Sequence, residues 1–530
     1  MKKSTLLFII VSLFLPAISQ WNYRVEIKAD TIENLPALHS YVFAQNENEY
    51  LIIGGRKDGI HARQPFAAFD EANKNTQAYV INTATKEVWN TALSALSNTL
   101  IEQLSSTNMN FHQEKDTLYI MGGYGYSATA ADHKTFDFLT TVSISGLIDA
   151  VKNNASITPF FKQIQNAAFA VTGGHLAHIG GKFYLVGGHR FDGRYNPMGH
   201  NTYTQEYTHA VRIFEIDNSG SVPKITSQKS IVNFDHLRRR DYNLVPQIFP
   251  DGSEGFLISS GVFQKNADLP FLYPVQVHDT FITPITEFNQ YLSNYHSASI
   301  ALYDKIKGEM HSLFLGGLSQ YDLVNEKLVK DDQVPFVKTI SLLTQNNNGE
   351  YKEFKLNEAM PNYLGASAEF LFNPDIPQIG HEIVDLNRLN QDTVFLGYIY
   401  GGIESTSQNP FSNNTISDTR ANPTLFKVKL IKDAQAGSNY LQRIPDVTVF
   451  PNPNKTGKVF IQFPFEITTA TVNVFNQVGA LTQSIPVKAN LENKVFFDID
   501  SSTPSQILYL HIKGKDGQIY RKKLIWQNEF

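Results

Sequence analysis

The chain has 530 residues, more than a single hydrophobic core supports, so two or three domains are expected. Its 42% hydrophobic and 18% charged residues mark it as folded, and a formal net charge of −5 gives no pull towards nucleic acid or anionic lipid, which excludes both as partners. With no cysteine, disulfides, thiolate nucleophiles and Cys-based metal sites are excluded too, while 37 Phe and 24 Tyr favour strands.

In chain order, Lys2 and Lys3 precede a ten-residue apolar run, Leu6 to Leu15, and then Pro16, Ala17, Ile18 and Ser19. This is the layout of a secretory signal peptide over residues 1–19, cleaved so that the mature chain begins at Gln20. The run is short for a membrane span, no later segment resembles a transmembrane helix, and the absence of Cys removes a lipoprotein anchor.

A hydrophobic strand ending in paired glycines then recurs. It appears as Leu51 to Gly55, Tyr119 to Gly123, Phe183 to Gly188, Leu313 to Gly317 and Tyr398 to Gly402, with a degraded copy from Phe256 to Gly261. The spacings of the first pair positions are 68, 65, 73, 56 and 85 residues. Each copy follows another short strand across a polar turn, as in Asn46-Glu47-Asn48, Glu114-Lys115-Asp116 and Gly180-Gly181-Lys182. Later strands follow, such as Ala78 to Ile81, Val211 to Ile216, Val337 to Leu343 and Leu425 to Leu430. Six units of four short strands predict an all-β fold, a six-bladed β-propeller, in which each glycine pair lets one blade approach the next.

The first unit, with His39, Gly54, Gly55, Tyr79 and Trp89, resembles the kelch repeat of galactose-oxidase-like propellers. The third (His175, Gly187, Gly188) and fifth (His296, Gly316, Gly317) keep its first half. The later units lack the Trp, the fourth lacks one glycine, and the repeats exceed the family's length of about 50. Seven blades remain the alternative count.

Composition shifts near Gly437, dividing a propeller over 20–440 from a small β-sandwich over 441–530. The last segment resembles the C-terminal sorting domain of type IX secretion cargo. The resemblance rests on Phe450-Pro451-Asn452-Pro453, on Val474 to Ala480 with its Gly479, and on Lys522-Lys523-Leu524-Ile525; Gln506 stands where that family has Gly. It implies export through the periplasm to the outer-membrane surface or the medium, with the type IX machinery as a partner.

Loops before the inner strands and after the glycine pairs would gather at the mouth of a central channel. The candidate ligand-binding residues there are His39, Arg56, Tyr124, His175, His189, Arg190, Arg194, Arg239, Tyr242 and His296. Arginines and aromatic rings around a funnel suit an anionic or glycan ligand. No nucleophile elbow, His-Glu-x-x-His, phosphate loop or EF-hand pattern occurs, so no catalytic residues, cofactor or metal are assigned. A cysteine-crosslinked copper centre, known from kelch-type oxidases, is impossible without Cys. The expectation is a surface or secreted binding module for a glycan, peptide or protein. The alternative is a carbohydrate-active enzyme resembling kelch-type sialic acid mutarotases, with His and Arg at the mouth.

Overall fold

The structure, a computed structural model, describes residues 21–196, 202–292, 295–435 and 440–528; the leader over 1–19 lies outside them. The fold is all-β. Six largely antiparallel sheets follow one another along the chain, the first five opening with a short hairpin and the sixth with a long connection over 373–392. The first sheet runs Val42–Asn46, Glu49–Ile53, Gln77–Asn82 and Val88–Ala92. The second begins with Asn110–Glu114, the third with His175–Ile179, the fourth with Asn243–Ile248 and the fifth with Ala298–Asp304. The sixth takes Tyr363–Phe372, Thr393–Ser405 and Leu425–Lys432 from late in the chain. Its outer strand, Tyr23–Asp30, comes from the beginning and pairs Tyr23 with Lys432.

The paired glycines act between neighbouring sheets. Both residues of each pair have positive φ, a conformation that disfavours any Cβ. The second glycine's N–H donates to a carbonyl in the loop entering the next sheet: Gly55 to Ser106 at 2.9 Å, Gly123 to Val171 at 3.0 Å and Gly188 to Arg239 at 2.8 Å. Gly317 reaches Leu364 and Gly402 reaches Leu38, both at 3.0 Å. In the degraded fourth copy Ser260 and Gly261 keep the same backbone, with φ of 58° and 94°. The backbone shape survives there although one glycine does not.

A second set of bonds closes the circle. At the start of each inner strand one residue gives its N–H to the residue in the same position of the preceding sheet. Asn108 donates to Ser40 (3.1 Å), Gly173 to Asn108 (3.4 Å), Asp241 to Gly173 (2.9 Å), His296 to Asp241 (3.0 Å), Ser367 to His296 (2.9 Å), and Ser40 back to Ser367 (3.3 Å). Six sheets joined in a closed circuit about a central channel form a β-propeller.

Two additions matter for the channel. Loops after the glycine pairs of the second and third sheets join into a further four-stranded sheet, Tyr124–Ser127, Asp132–Thr135, His189–Gly193 and Tyr203–Tyr207. From the sixth sheet, Gln378–Ile379 and Ile383–Asp385 form a strap, the latter pairing parallel to Ala298–Asp304 of the fifth.

Leu441–Arg443 still adds to the outer edge of the fifth sheet, so the chain leaves the propeller a few residues later than the composition shift implies. Beyond it, a three-stranded and a four-stranded sheet enclose Val459, Ile461, Val472, Val495, Leu510 and Trp526. The strand Leu481–Lys488, not foreseen from sequence, edges the larger sheet. The Asn452 side chain donates to Lys523 O at 2.9 Å and accepts from Ile525 N–H at 2.9 Å, tying the Pro-Asn-Pro turn to the last strand. This sandwich shares a core with the propeller. Tyr291, Tyr321, Leu323 and Leu328 pack with it, and the Tyr321 and Tyr520 hydroxyls meet at 2.7 Å.

A Cβ at Gly122 would lie 1.9 Å from Val171 O on a backbone with φ of 69°, whereas at Gly220 the nearest atom is 3.5 Å away. Gly122→Ala is therefore expected to cost at least about 2 kcal/mol and Gly220→Ala nothing measurable, as read by urea denaturation.

Candidate functional site

The circuit of hydrogen bonds divides the channel in two. Ser40, Asn108, Asp241 and His296 border a cavity on each side of it: a wide one of about 620 Å³ and a small one of about 170 Å³. The small cavity is smaller than the roughly 300–1,000 Å³ of pockets that enclose drug-sized molecules, so it takes a ligand the size of one ring.

Two tiers of residues line the small cavity, and the fold dictates both. The residue preceding each circuit position supplies His39, Thr107, Thr172, Arg240, Tyr295 and Ala366. The residue following each glycine pair supplies Arg56, Tyr124, His189, Leu318 and Ile403. Where the tiers bond to each other as isolated bridges, His39 pairs with Arg56, Thr107 with Tyr124 and Thr172 with His189. The loop after the first glycine pair adds His61 and Phe69, and the joined loop sheet adds Phe191, with Tyr195 just beyond it.

The wall is chemically divided. In the first sheet Arg56 grips Asp58 through Nε (2.8 Å) and Nη2 (2.6 Å). In the fourth, three places round the circuit, Arg240 Nη1 holds Asp241 at 2.6 Å and Nε donates to the Tyr207 hydroxyl at 3.2 Å. Two ion pairs thus belong to sheets on opposite sides of the channel. Between them, on one side, stand Tyr124, Phe191 and Tyr195 with His61, whose ring meets Tyr195 edge-on at 4.9 Å. On the other side are Leu318, Ala366 and Ile403.

Burial sets the protonation states. It pushes the Asp58 carboxyl up, but His39 and Arg56 more than offset this and leave it at about 2. It drives His61 down to about 4, and His189 well below its ordinary value with help from the Arg240 and Arg238 charges. Both imidazoles are neutral at pH 7. His189 Nδ1 lies 2.6 Å from Gln205 Nε2. Two buried polar atoms of the lining residues, His61 Nδ1 and Thr107 Oγ1, have no hydrogen-bond partner in the protein, while His39 Nε2 faces Asp58 Oδ1 at 3.7 Å.

Of the residues singled out from sequence, His39, Arg56, Tyr124, His189 and His296 border this cavity. The other five do not. His175 faces the wide cavity, its Nε2 2.7 Å from Tyr242 O and its ring edge-on to His296 at 4.9 Å. Arg239 is buried between sheets, donating to His236, Ser260 and Tyr273 carbonyls beneath the Phe271 and Tyr273 rings. Tyr242 is buried, and its hydroxyl donates to Val186 O at 2.6 Å. Arg190 is exposed and paired with Asp192. Arg194 donates to Ala68 O from outside the lining.

The reason is register. His39, His175, Tyr242 and His296 all precede or open inner strands in the sequence, yet relative to the circuit they occupy positions −1, +2, +1 and 0. A slip of one residue turns a strand side chain to the other face. Counting back from the circuit would have selected Arg240, not Arg239, together with Thr107 and Tyr295. His61 and Tyr195 sit in long loops and carry no such signal.

No family model and no curated protein matches the chain. Among solved structures, one titled "Structure of YjhT" is similar over 78% of this chain and 99% of its own, at 12% identity and a TM-score of 0.42.

Several buried imidazoles titrate low because burial disfavours their charge: His175 and His311 at about 3, His236 and His511 at about 4. His296 goes the other way; burial lowers it, but Glu369 at 3.3 Å more than compensates. For the low group the folded-state values lie below the roughly 6.5 of the unfolded chain. The stability they allow is therefore complete above pH 6.5 and lost as pH falls from there towards 4. Urea midpoints measured between pH 7 and 4.5 should fall steeply. His175→Gln should flatten the slope by one proton, about 1.4 kcal/mol per pH unit.

Proposed function

We propose that the protein is an exported, kelch-like six-bladed propeller that binds a single sugar ring in the small cavity. One observation carries this: two buried, unpartnered polar atoms (His61 Nδ1 and Thr107 Oγ1) belong to a ring-sized pocket that is aromatic on one wall and ion-paired on two. Leaving such atoms unsatisfied costs about 1–3 kcal/mol each, which a ligand rich in hydroxyls removes. A pyranose has the matching chemistry, with C–H faces for Tyr124 and Tyr195, and hydroxyls or a carboxylate for Arg56 and Arg240. The ligand would act as a bound partner of a surface or secreted module.

The geometry also favours a second reading, an enzyme that interconverts sugar anomers. That reaction needs only an acid and a base near the anomeric carbon. The Asp241 carboxylate can take the proton of the anomeric hydroxyl and the Tyr295 hydroxyl, kept protonated by burial, can give one to the ring oxygen; both residues border the same cavity, and no cofactor is called for.

The sandwich over 441–530 supports the export reading through the residues that resemble a type IX sorting domain, with Asn452 fixing the Lys-rich last strand. Together with the signal peptide over 1–19, this makes the outer-membrane surface or the medium the proposed destination, with the type IX machinery as partner.

Titration calorimetry with neutral and acidic monosaccharides is expected to find a ligand whose affinity falls about tenfold or more in Arg240→Gln and His61→Ala, a loss of about 1.4 kcal/mol. Arg190→Ala, away from the cavity, should bind as the parent does. Equal affinity in all three variants defeats the assignment. Anomer exchange followed by NMR on the bound sugar separates the two readings, since only the enzyme accelerates it.

A further inference from the structure

The wide cavity on the other side of the circuit holds a cluster that sugar binding does not use. His112 and Glu114 alternate on the inner strand Asn110–Glu114 of the second sheet, so both side chains leave the same face. His178, on the inner strand His175–Ile179 of the third sheet, comes alongside with Nδ1 3.2 Å from Glu114 Oε2. One ligand atom from each of the three lies within 4.8 Å of the other two. The strap from the sixth sheet adds His381, whose ring centre is 4.7 Å from that of His112.

An ordinary His–Glu ion pair explains His178 and Glu114 but leaves His112 without a purpose. That residue is only 8% exposed, and its Nε2 is buried with no hydrogen-bond partner. A buried imidazole nitrogen with no donor facing it suits a cation.

We propose that His112, Glu114 and His178 bind one late first-row divalent metal ion, with Zn²⁺ the best match and His381 within reach as the fourth donor. Two or three imidazoles and one carboxylate are a donor set that zinc takes, at bond lengths near 2.0–2.1 Å. In a tetrahedral site such bonds hold ligand atoms about 3.3 Å apart, close to the separation already present between His178 and Glu114. The site would link the second and third sheets to the strap across the wide end of the channel.

The test uses the purified full-length chain after chelator dialysis, titrated with Co²⁺ and read by its visible ligand-field absorption. Saturation at one ion per chain, reversal by Zn²⁺ and a raised thermal midpoint with zinc are expected. His112→Asn and His178→Gln should each weaken binding about tenfold or more. Glu114→Gln, isosteric and partly exposed, does the same without threatening the fold, and His278→Gln, on a distant edge, leaves affinity unchanged. The proposal fails if the parent shows no saturable binding, or if Glu114→Gln keeps full affinity. It fails equally if folded His112→Asn and His178→Gln both bind as the parent does.

Discussion

The closed circuit of six backbone hydrogen bonds decides where everything else in the propeller can go. Each bond is worth only about 0.5–1.5 kcal/mol net. Their effect is geometric. Ser40, Asn108, Gly173, Asp241, His296 and Ser367 are brought to one level, and every neighbouring residue inherits a fixed height and direction from them. The residue before each of them faces the small cavity. Residues further along the inner strands face the wide one. The two cavities are therefore consequences of one backbone arrangement, and their different chemistries come from what each sheet happens to place in a shared position.

Much of this was legible in the chain. Paired glycines after hydrophobic strands marked the sheets, because the positive-φ turn there disfavours a Cβ and the N–H of the second glycine must reach the neighbouring sheet. The fourth sheet shows that the requirement is on backbone conformation, since Ser260 fills the first position at positive φ. What the chain did not disclose was register. Arg238-Arg239-Arg240 reads as a uniform basic run, yet Arg240 reaches the cavity, Arg239 is clamped between sheets under two aromatic rings, and Arg238 covers the Tyr207 ring at 4.0 Å. Three adjacent identical residues have three surroundings, and only the pairing of neighbouring strands tells them apart.

The histidines teach the same lesson on the other side of the circuit. His112 and His178 are 66 residues apart and His381 lies a further 203 along, so no spacing in the sequence announces them as a group. They meet because two inner strands are neighbours and a strap from the sixth sheet crosses over them. Burial favours the neutral form of His61, His175 and His189, so these channel imidazoles offer lone pairs beside the Arg56–Asp58 and Arg240–Asp241 ion pairs. In the C-terminal sandwich the turn is tied to the last strand by the Asn452 side chain and the Asn454 backbone, and the core continues into the propeller through Tyr291 and Tyr321.

The origin of the sixth sheet's outer strand also bears on how the molecule is made. Tyr23 and Lys432 pair across 409 positions, so the strand Tyr23–Asp30 must wait during synthesis for the strand Leu425–Lys432, made long after it. Until then the sixth sheet has an open edge and the circle a gap. Such long-range pairing folds slowly and leaves edges able to join other chains. Closing the circle thus depends on a meeting between residues 23–30 and 425–432, and whatever keeps those two strands apart keeps the sixth sheet incomplete.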